Sequence, residues 1–296
     1  MSRLAMALLL VACAGTAATN ESQVASTSTL AATTTSGSAV VASTSTLAAT
    51  TTSGSVVSGT FSVNGHDLYI ECSGAGSPTF LLEAGEDQSG SSLADYRDAL
   101  AERGTVCSYD RANTGRSGSV PGPRTAADAA SDLNGLLTAA SISGPYLLLG
   151  HSAGGMIVQL YARQYPDDVI AVVAMNPVPP YQEWFDQGVP LMDGSSQTAE
   201  AAYYAGANSE SLDYQTSSRQ VADAQPPPDI PFAMLLSTIA QCESPEGVCA
   251  ITYTAYEDIM RAVVEEWPGG EFTQFDAGHL LPTDEVIDVI DRILGA

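Results

Sequence analysis

The chain has 296 residues, 34 of them acidic against ten basic, for a formal net charge of −24 at pH 7. All ten basic residues are arginines, and lysine is absent. A surface so negative repels phosphate backbones, which excludes nucleic acid as a partner, and it slows the approach of anionic small molecules, so neutral compounds are the expected ligands. Such a charge keeps a protein soluble where salt screens its self-repulsion, and points to a saline or acid-tolerant setting.

In chain order, Ser2-Arg3 followed by the apolar stretch 4–12 has the charged start and short apolar run of a secretory signal. It is too short to cross a bilayer as a helix. Leu10-Val11-Ala12-Cys13 resembles the bacterial lipobox, so residues 1–13 read as a signal segment that ends in a lipobox, with Cys13 lipidated, left as the mature N-terminus and tethering the chain to a membrane. Cleavage after Ala14, without a lipid, is the alternative, since small residues precede that bond as well. Residues 14–58 form a Ser/Thr/Ala-rich linker containing two near-identical copies, 24–40 and 41–57. Two short copies without aromatic residues cannot build the stacked core of a repeat fold, so this tract is expected to be a flexible tether. The remainder, 59–296, is long enough for one domain with a large core.

Within that domain, His66 lies in a turn opening an early strand over 68–72, and a second strand is expected over 105–109. The apolar run Tyr146-Leu147-Leu148-Leu149 leads into Gly150-His151-Ser152-Ala153-Gly154, and a helical segment follows at 155–163. A serine between two such glycines, after a strand and before a helix, has the pattern of a nucleophile elbow, in which a sharp strained turn exposes the hydroxyl. A strand over 169–175 ends at Asn176. An insertion of roughly fifty residues, about 178–229, then carries Tyr181, Trp184, Phe185, Tyr203, Tyr204 and Tyr214 and is long enough for a small helical lid; these rings are expected to pack more than to touch a ligand. A strand at 232–236 precedes a loop holding Glu243 and Glu246. Another at 271–275 leads to Asp276-Ala277-Gly278-His279, and Pro282 opens an amphipathic terminal helix at 284–294.

A serine hydroxyl needs a base to become a nucleophile, and of three histidines His279, on a loop after a strand, is best placed to be one. His151 and His66 read as structural. The third member, a carboxylate to orient the imidazole, is expected at Glu243, with Glu246 as the close alternative. Asn176 stands where some such proteins carry the acid, but an amide cannot stabilise an imidazolium by charge.

Together with Leu82-Glu83-Ala84-Gly85, the run from Tyr109 to Ser117, Arg163-Gln164-Tyr165-Pro166-Asp167 and Ala277-Gly278-His279, the elbow makes residues 59–296 resemble the α/β-hydrolase family. The resemblance implies an α/β fold, a mostly parallel central sheet flanked by helices, with the lid inserted after the strand ending near Asn176. It implies an exported serine hydrolase, most simply a carboxylic ester hydrolase acting on a small molecule, without cofactor or metal. Amidase, peptidase or lactonase chemistry by the same triad, or a silent tethered binding protein, are the alternatives. It implies an oxyanion hole from the backbone N–H groups of Ala153 and Glu86, although many relatives have histidine and glycine at the second position; the Glu86 carboxylate is expected to turn away or bind a partner. Asp110 and Arg111 take structural roles. Four cysteines besides Cys13 suit an exported protein with two disulfides. The fold sets the strands of Cys72 and Cys107 side by side, and Cys242 with Cys249 would close the loop that holds both candidate acids.

Overall fold

The computed structural model describes residues 57–238 and 248–295. Eight strands, β1 (Ser58–Val63), β2 (His66–Gly74), β3 (Thr79–Glu83), β4 (Thr105–Asp110), β5 (Tyr146–His151), β6 (Val169–Met175), β7 (Phe232–Ser237) and β8 (Glu271–Phe275), form one sheet in the order β1-β2-β4-β3-β5-β6-β7-β8. An Asn64-Gly65 turn folds β1 back on β2. β2 runs antiparallel to both of its neighbours, and every pairing from β4 to β8 is parallel. Parallel neighbours need crossovers. Helix α1 (Ala94–Leu100) links β3 to β4, α2 (Ala126–Ala139) links β4 to β5, α3 (Ala153–Gln164) links β5 to β6, and α7 (Val248–Glu265) precedes β8. The stretch between β6 and β7 carries α4 (Tyr181–Gln187), α5 (Gly194–Tyr204) and α6 (Tyr214–Ala222), and α8 (Thr283–Leu294) ends the domain.

The central strands are apolar on both sides because helices cover both faces. Alternate residues divide between two cores. Leu81, Leu148, Val172, Ala174, Met234 and Leu236 face α2, α3 and α7, while Phe80, Leu82, Leu147, Leu149, Val173 and Leu235 face α1 and α8. The adjacent strands β3 and β5 send their following helices, α1 and α3, to opposite faces. Loops leaving such a pair diverge and open a crevice at the carboxyl ends of the strands.

Two further features fix the frame. Cys72 and Cys107 are opposed in the β2–β4 register, with Cα atoms 4.0 Å apart, and are joined as a disulfide, the pairing expected from the sequence. Cys249 is disulfide-bonded, and Cys242 lies outside the described residues, as do Glu243, Glu246, Cys13, the signal segment and the repeats. The insertion is seated on α2: Ser217 Oγ and Gln220 Oε1 of α6 accept from Ala126 N–H and Ala127 N–H, at 2.8 and 3.0 Å. These are first-turn donors with no acceptor inside their own helix. Among the described residues, no helix is long and apolar enough to cross a membrane.

Candidate active site

Ser152 occupies the turn between β5 and α3 with φ 54° and ψ −117°, a conformation strongly disfavoured for a residue with a side chain. The turn can be that tight only because its flanks are bare. A methyl group on Gly150 would stand 2.5 Å from the Gly154 carbonyl oxygen, and one on Gly154 would stand 2.2 Å from that of Glu83. The strain is over-determined by backbone bonds: Ser152 N–H donates to Met175 O at 2.9 Å, and Ser152 O accepts from Gly155 and Val178 at 2.9 and 3.2 Å. Ala153 is the first residue of α3, so its N–H has no intrahelical acceptor and lies at the positive end of the helix.

His279 follows β8 on the loop into α8, and its ring packs on that of His151 with centroids 4.6 Å apart and planes at 59°. The loop is held by its carbonyl: His279 O accepts from His151 Nε2 at 3.1 Å and from Asn176 Nδ2 at 2.8 Å. A carbonyl only accepts, so His151 carries its proton on Nε2. Burial lowers the His151 pKa to about 4, leaving the ring neutral near pH 7. His151, read as structural in the sequence, has that role here as the immediate neighbour and brace of the candidate base. Asn176 is a brace too, since its Oδ1 accepts from Ser237 N–H at 2.9 Å and ties the end of β6 to that of β7.

Burial, with a smaller contribution from the adjacent His151, lowers the His279 pKa to about 3. Its Nε2 is buried and makes no hydrogen bond among the described residues. Among the described residues no hydrogen bond joins His279 to Ser152 Oγ or to a carboxylate; such contacts in hydrolytic sites are often long until substrate binds.

The loop after β3 is built around a buried guanidinium. Arg111 Nη1 donates to Glu83 Oε1 at 2.7 Å and to Ala84 O at 2.6 Å, and Nη2 donates to Gly85 O at 2.6 Å. The same side chain reaches the insertion, where Nη2 and Nε meet the two carboxylate oxygens of Glu210 at 2.5 and 2.9 Å. Tyr109 OH donates to the second oxygen of Glu83 at 2.6 Å. Burial raises the Glu83 pKa, and Arg111 opposes that shift. Glu86 turns its carboxylate to the insertion, accepting from Ser209 N–H at 2.9 Å, from Ser209 Oγ at 2.7 Å and from Tyr203 OH. Its own N–H makes no hydrogen bond among the described residues. The insertion's rings pack on one another, as expected: Tyr203 stacks on Tyr214 with centroids 5.2 Å apart, and Phe185 meets Tyr204 at 5.2 Å. A cleft of about 190 Å³ between α3, the insertion and α7 is lined by Met156, Arg163, Tyr181 and Met260, but by neither Ser152 nor His279.

A family model described as the α/β-hydrolase fold matches residues 81–214. A thermophilic esterase from Thermogutta terrifontis superimposes with a TM-score of 0.54 at 21% identity, over 81% of this chain and 97% of that one. The enol-lactonase of Burkholderia xenovorans LB400 does so with a TM-score of 0.56 at 18% identity, over 80% and 100%. The chain folds as an α/β-hydrolase. Among curated sequences it is 38% identical over 110 residues to "Putative carbamate hydrolase RutD" of Azorhizobium caulinodans, 37% of this chain and 41% of that one. It is 30% identical over 119 residues to YqjL of Bacillus subtilis, 40% of this chain and 47% of that one. The chain thus spans less than half the length of the curated relatives it matches. The family match takes in the oxyanion-loop candidate and the elbow but stops short of β7 and the histidine loop, so it does not reach His279. Glu210 was not singled out in the sequence. Only its charge-matched partner across the fold, Arg111, marks it.

Proposed function

We propose that this α/β-hydrolase is an exported serine hydrolase that cleaves a neutral carboxylic ester through an acyl-Ser152 intermediate. In this reading His279 Nε2 takes the proton of Ser152 Oγ as the oxygen bonds to the acyl carbon, and the N–H groups of Ala153 and Glu86 receive the oxyanion. Collapse of the tetrahedral intermediate breaks the bond to the leaving alcohol, which takes the proton from His279. A water, deprotonated by the same nitrogen, then releases the acid. Glu243 orients the imidazole, with Glu246 as the alternative. The observation that carries the reading is the strained Ser152 turn at the head of α3, whose neighbour His151 packs on the ring of His279, a half-buried imidazole held neutral by desolvation, with an Nε2 that has no partner among the described residues. The surplus of acidic residues favours uncharged substrates. Lipidation at Cys13, after export, would hold the enzyme at a membrane.

A second reading, hydrolysis of a carbamate, is favoured by the name of the RutD relatives. It uses the same nucleophile and base. The test combines a fluorophosphonate probe with p-nitrophenyl butyrate and a p-nitrophenyl N-alkylcarbamate, applied to the full chain and to Ser152→Ala. The probe mass is expected on the peptide containing Ser152, with butyrate turned over faster than the carbamate and both rates lost in the variant. Faster carbamate turnover would select the second reading. Absence of both labelling and turnover would overturn the hydrolase assignment in favour of a binding protein.

A further inference from the structure

We infer that the Glu86 carboxylate is a positioning group: it clasps the loop that carries the proposed oxyanion N–H to the insertion, so that the hole is formed only while the insertion is seated. This rests on the serine-hydrolase reading above. Two consecutive residues of the loop meet two consecutive residues of the insertion. Glu86 accepts from the N–H and hydroxyl of Ser209 at 2.9 and 2.7 Å, and the N–H of Asp87 donates to Glu210 Oε1 at 2.7 Å. The clasp is closed from below by Arg111, which binds both oxygens of Glu210 and also the carbonyls of Ala84 and Gly85. Loop, insertion and guanidinium therefore form one ring of bonds, and neither end of the loop moves without breaking charge-assisted contacts.

The loop turns sharply at this point: Asp87 sits at φ 59°, in the left-handed region that Asp adopts more readily than most residues with a side chain, and this turn brings its N–H to Glu210. Glu86 needs its donors for an electrostatic reason. A free carboxylate one residue's width from a developing oxyanion would oppose it, whereas one satisfied by three donors on the insertion is turned away and partly neutralised. Tyr203 reinforces the arrangement: its hydroxyl donates to Glu86 and lies within hydrogen-bond distance of that of Tyr214, at 3.2 Å, so a short chain of phenols ends on this carboxylate. Burial raises the Tyr214 pKa well above its ordinary value, so these phenols keep their protons.

Glu86→Ala removes the clasp but leaves the backbone N–H. Glu86→Gln keeps an oxygen for Ser209 and an amide for Tyr203. The experiment measures kcat and KM of the full chain on p-nitrophenyl butyrate, normalised by fluorophosphonate active-site titration, together with affinity for an aryl trifluoromethyl ketone, whose tetrahedral adduct presents an oxyanion. Glu86→Ala is expected to lower kcat about 10- to 100-fold with KM changed less than about threefold, and to weaken the ketone by the same factor as kcat/KM. Glu86→Gln is expected to restore most of the loss. The pair Tyr203→Phe with Ser209→Ala, placed on the insertion, reads the same effect should Glu86→Ala fail to fold. Wild-type kcat in Glu86→Ala, or in the insertion pair, would overturn the inference while leaving the hydrolase reading intact; so would equal impairment of Ala and Gln variants. If the wild type neither turns over nor labels, the hydrolase reading itself has failed, and this inference falls with it.

Discussion

Ser152 is held in a conformation that costs on the order of 1–3 kcal/mol for a residue with a side chain, and only glycine adopts it freely. Stability and chemistry therefore pull in opposite directions at one position. Ser152→Gly is expected to raise the free energy of unfolding by about 1 kcal/mol in a urea titration while abolishing turnover. A loss of stability would show that the turn is not strained. The two histidines make a second residue-scale expectation. Both pKa values lie below the ordinary 6.5, His151 at about 4 and His279 at about 3. Between those values and 6.5 the unfolded chain binds more protons than the folded one. Their contribution to stability is thus fully present above pH 6.5 and declines as pH falls toward 3–4. The same depression keeps His279 unprotonated and able to accept a proton in mildly acidic solution. kcat/KM on a neutral ester is expected to hold from pH 7 to about 5, with its acid limb well below 6.5; half-activity near 6.5 would contradict the burial of this ring.

At the scale of elements, the sheet was largely legible because its strands are buried on both faces and appear as short continuous apolar runs, as at Tyr146–His151 and Phe232–Ser237. The helix of the elbow and the terminal α8 were legible as well, the latter because Val286, Ile287, Val289 and Ile290 form one apolar stripe. Helix α7 was not: its eighteen residues mix Val, Ile, Thr and Tyr, which favour strands, and tertiary packing of Tyr256, Ile259 and Met260 overrides that preference. The contacts that hold the candidate site together were out of reach for a different reason. Arg111 and Glu210 are separated by 99 residues, and no local pattern in either segment reports the other. Their energetic weight is testable. Arg111→Met would leave Glu83 and Glu210, exposed by only 1% and 2%, without their cation. The expected loss is about 3–5 kcal/mol in equilibrium unfolding, because a buried charge stripped of its partner keeps its desolvation cost. A change below about 1 kcal/mol would mean that water reaches the cluster.

For the whole molecule, the charge balance read from the sequence acquires a structural sense. Arg97, Arg103, Arg111, Arg116, Arg124, Arg163, Arg261 and Arg292 each stand within ion-pair distance of a carboxylate. With so many of its few cations already committed, the protein has an acidic surplus that faces water with little to balance it. Self-repulsion of that kind is screened over about 10 Å at 0.1 M salt and about 3 Å at 1 M. The thermal midpoint is accordingly expected to rise with sodium chloride from 0.01 to 1 M, with most of the gain in the first decade. A falling midpoint would indicate that these ion pairs, which salt weakens, outweigh the repulsion.

The bond between Cys72 and Cys107 also decides how the domain bears a mechanical load. Force applied to the chain ahead of β1 first meets a strand at the sheet's edge, held to β2 by hydrogen bonds. Peeling can proceed along that hairpin only as far as Cys72, where the load crosses a covalent link into β4, a strand with β3 on its inner side. The edge hairpin is a fuse, and the strands that present Glu86 and Ser152 lie behind it.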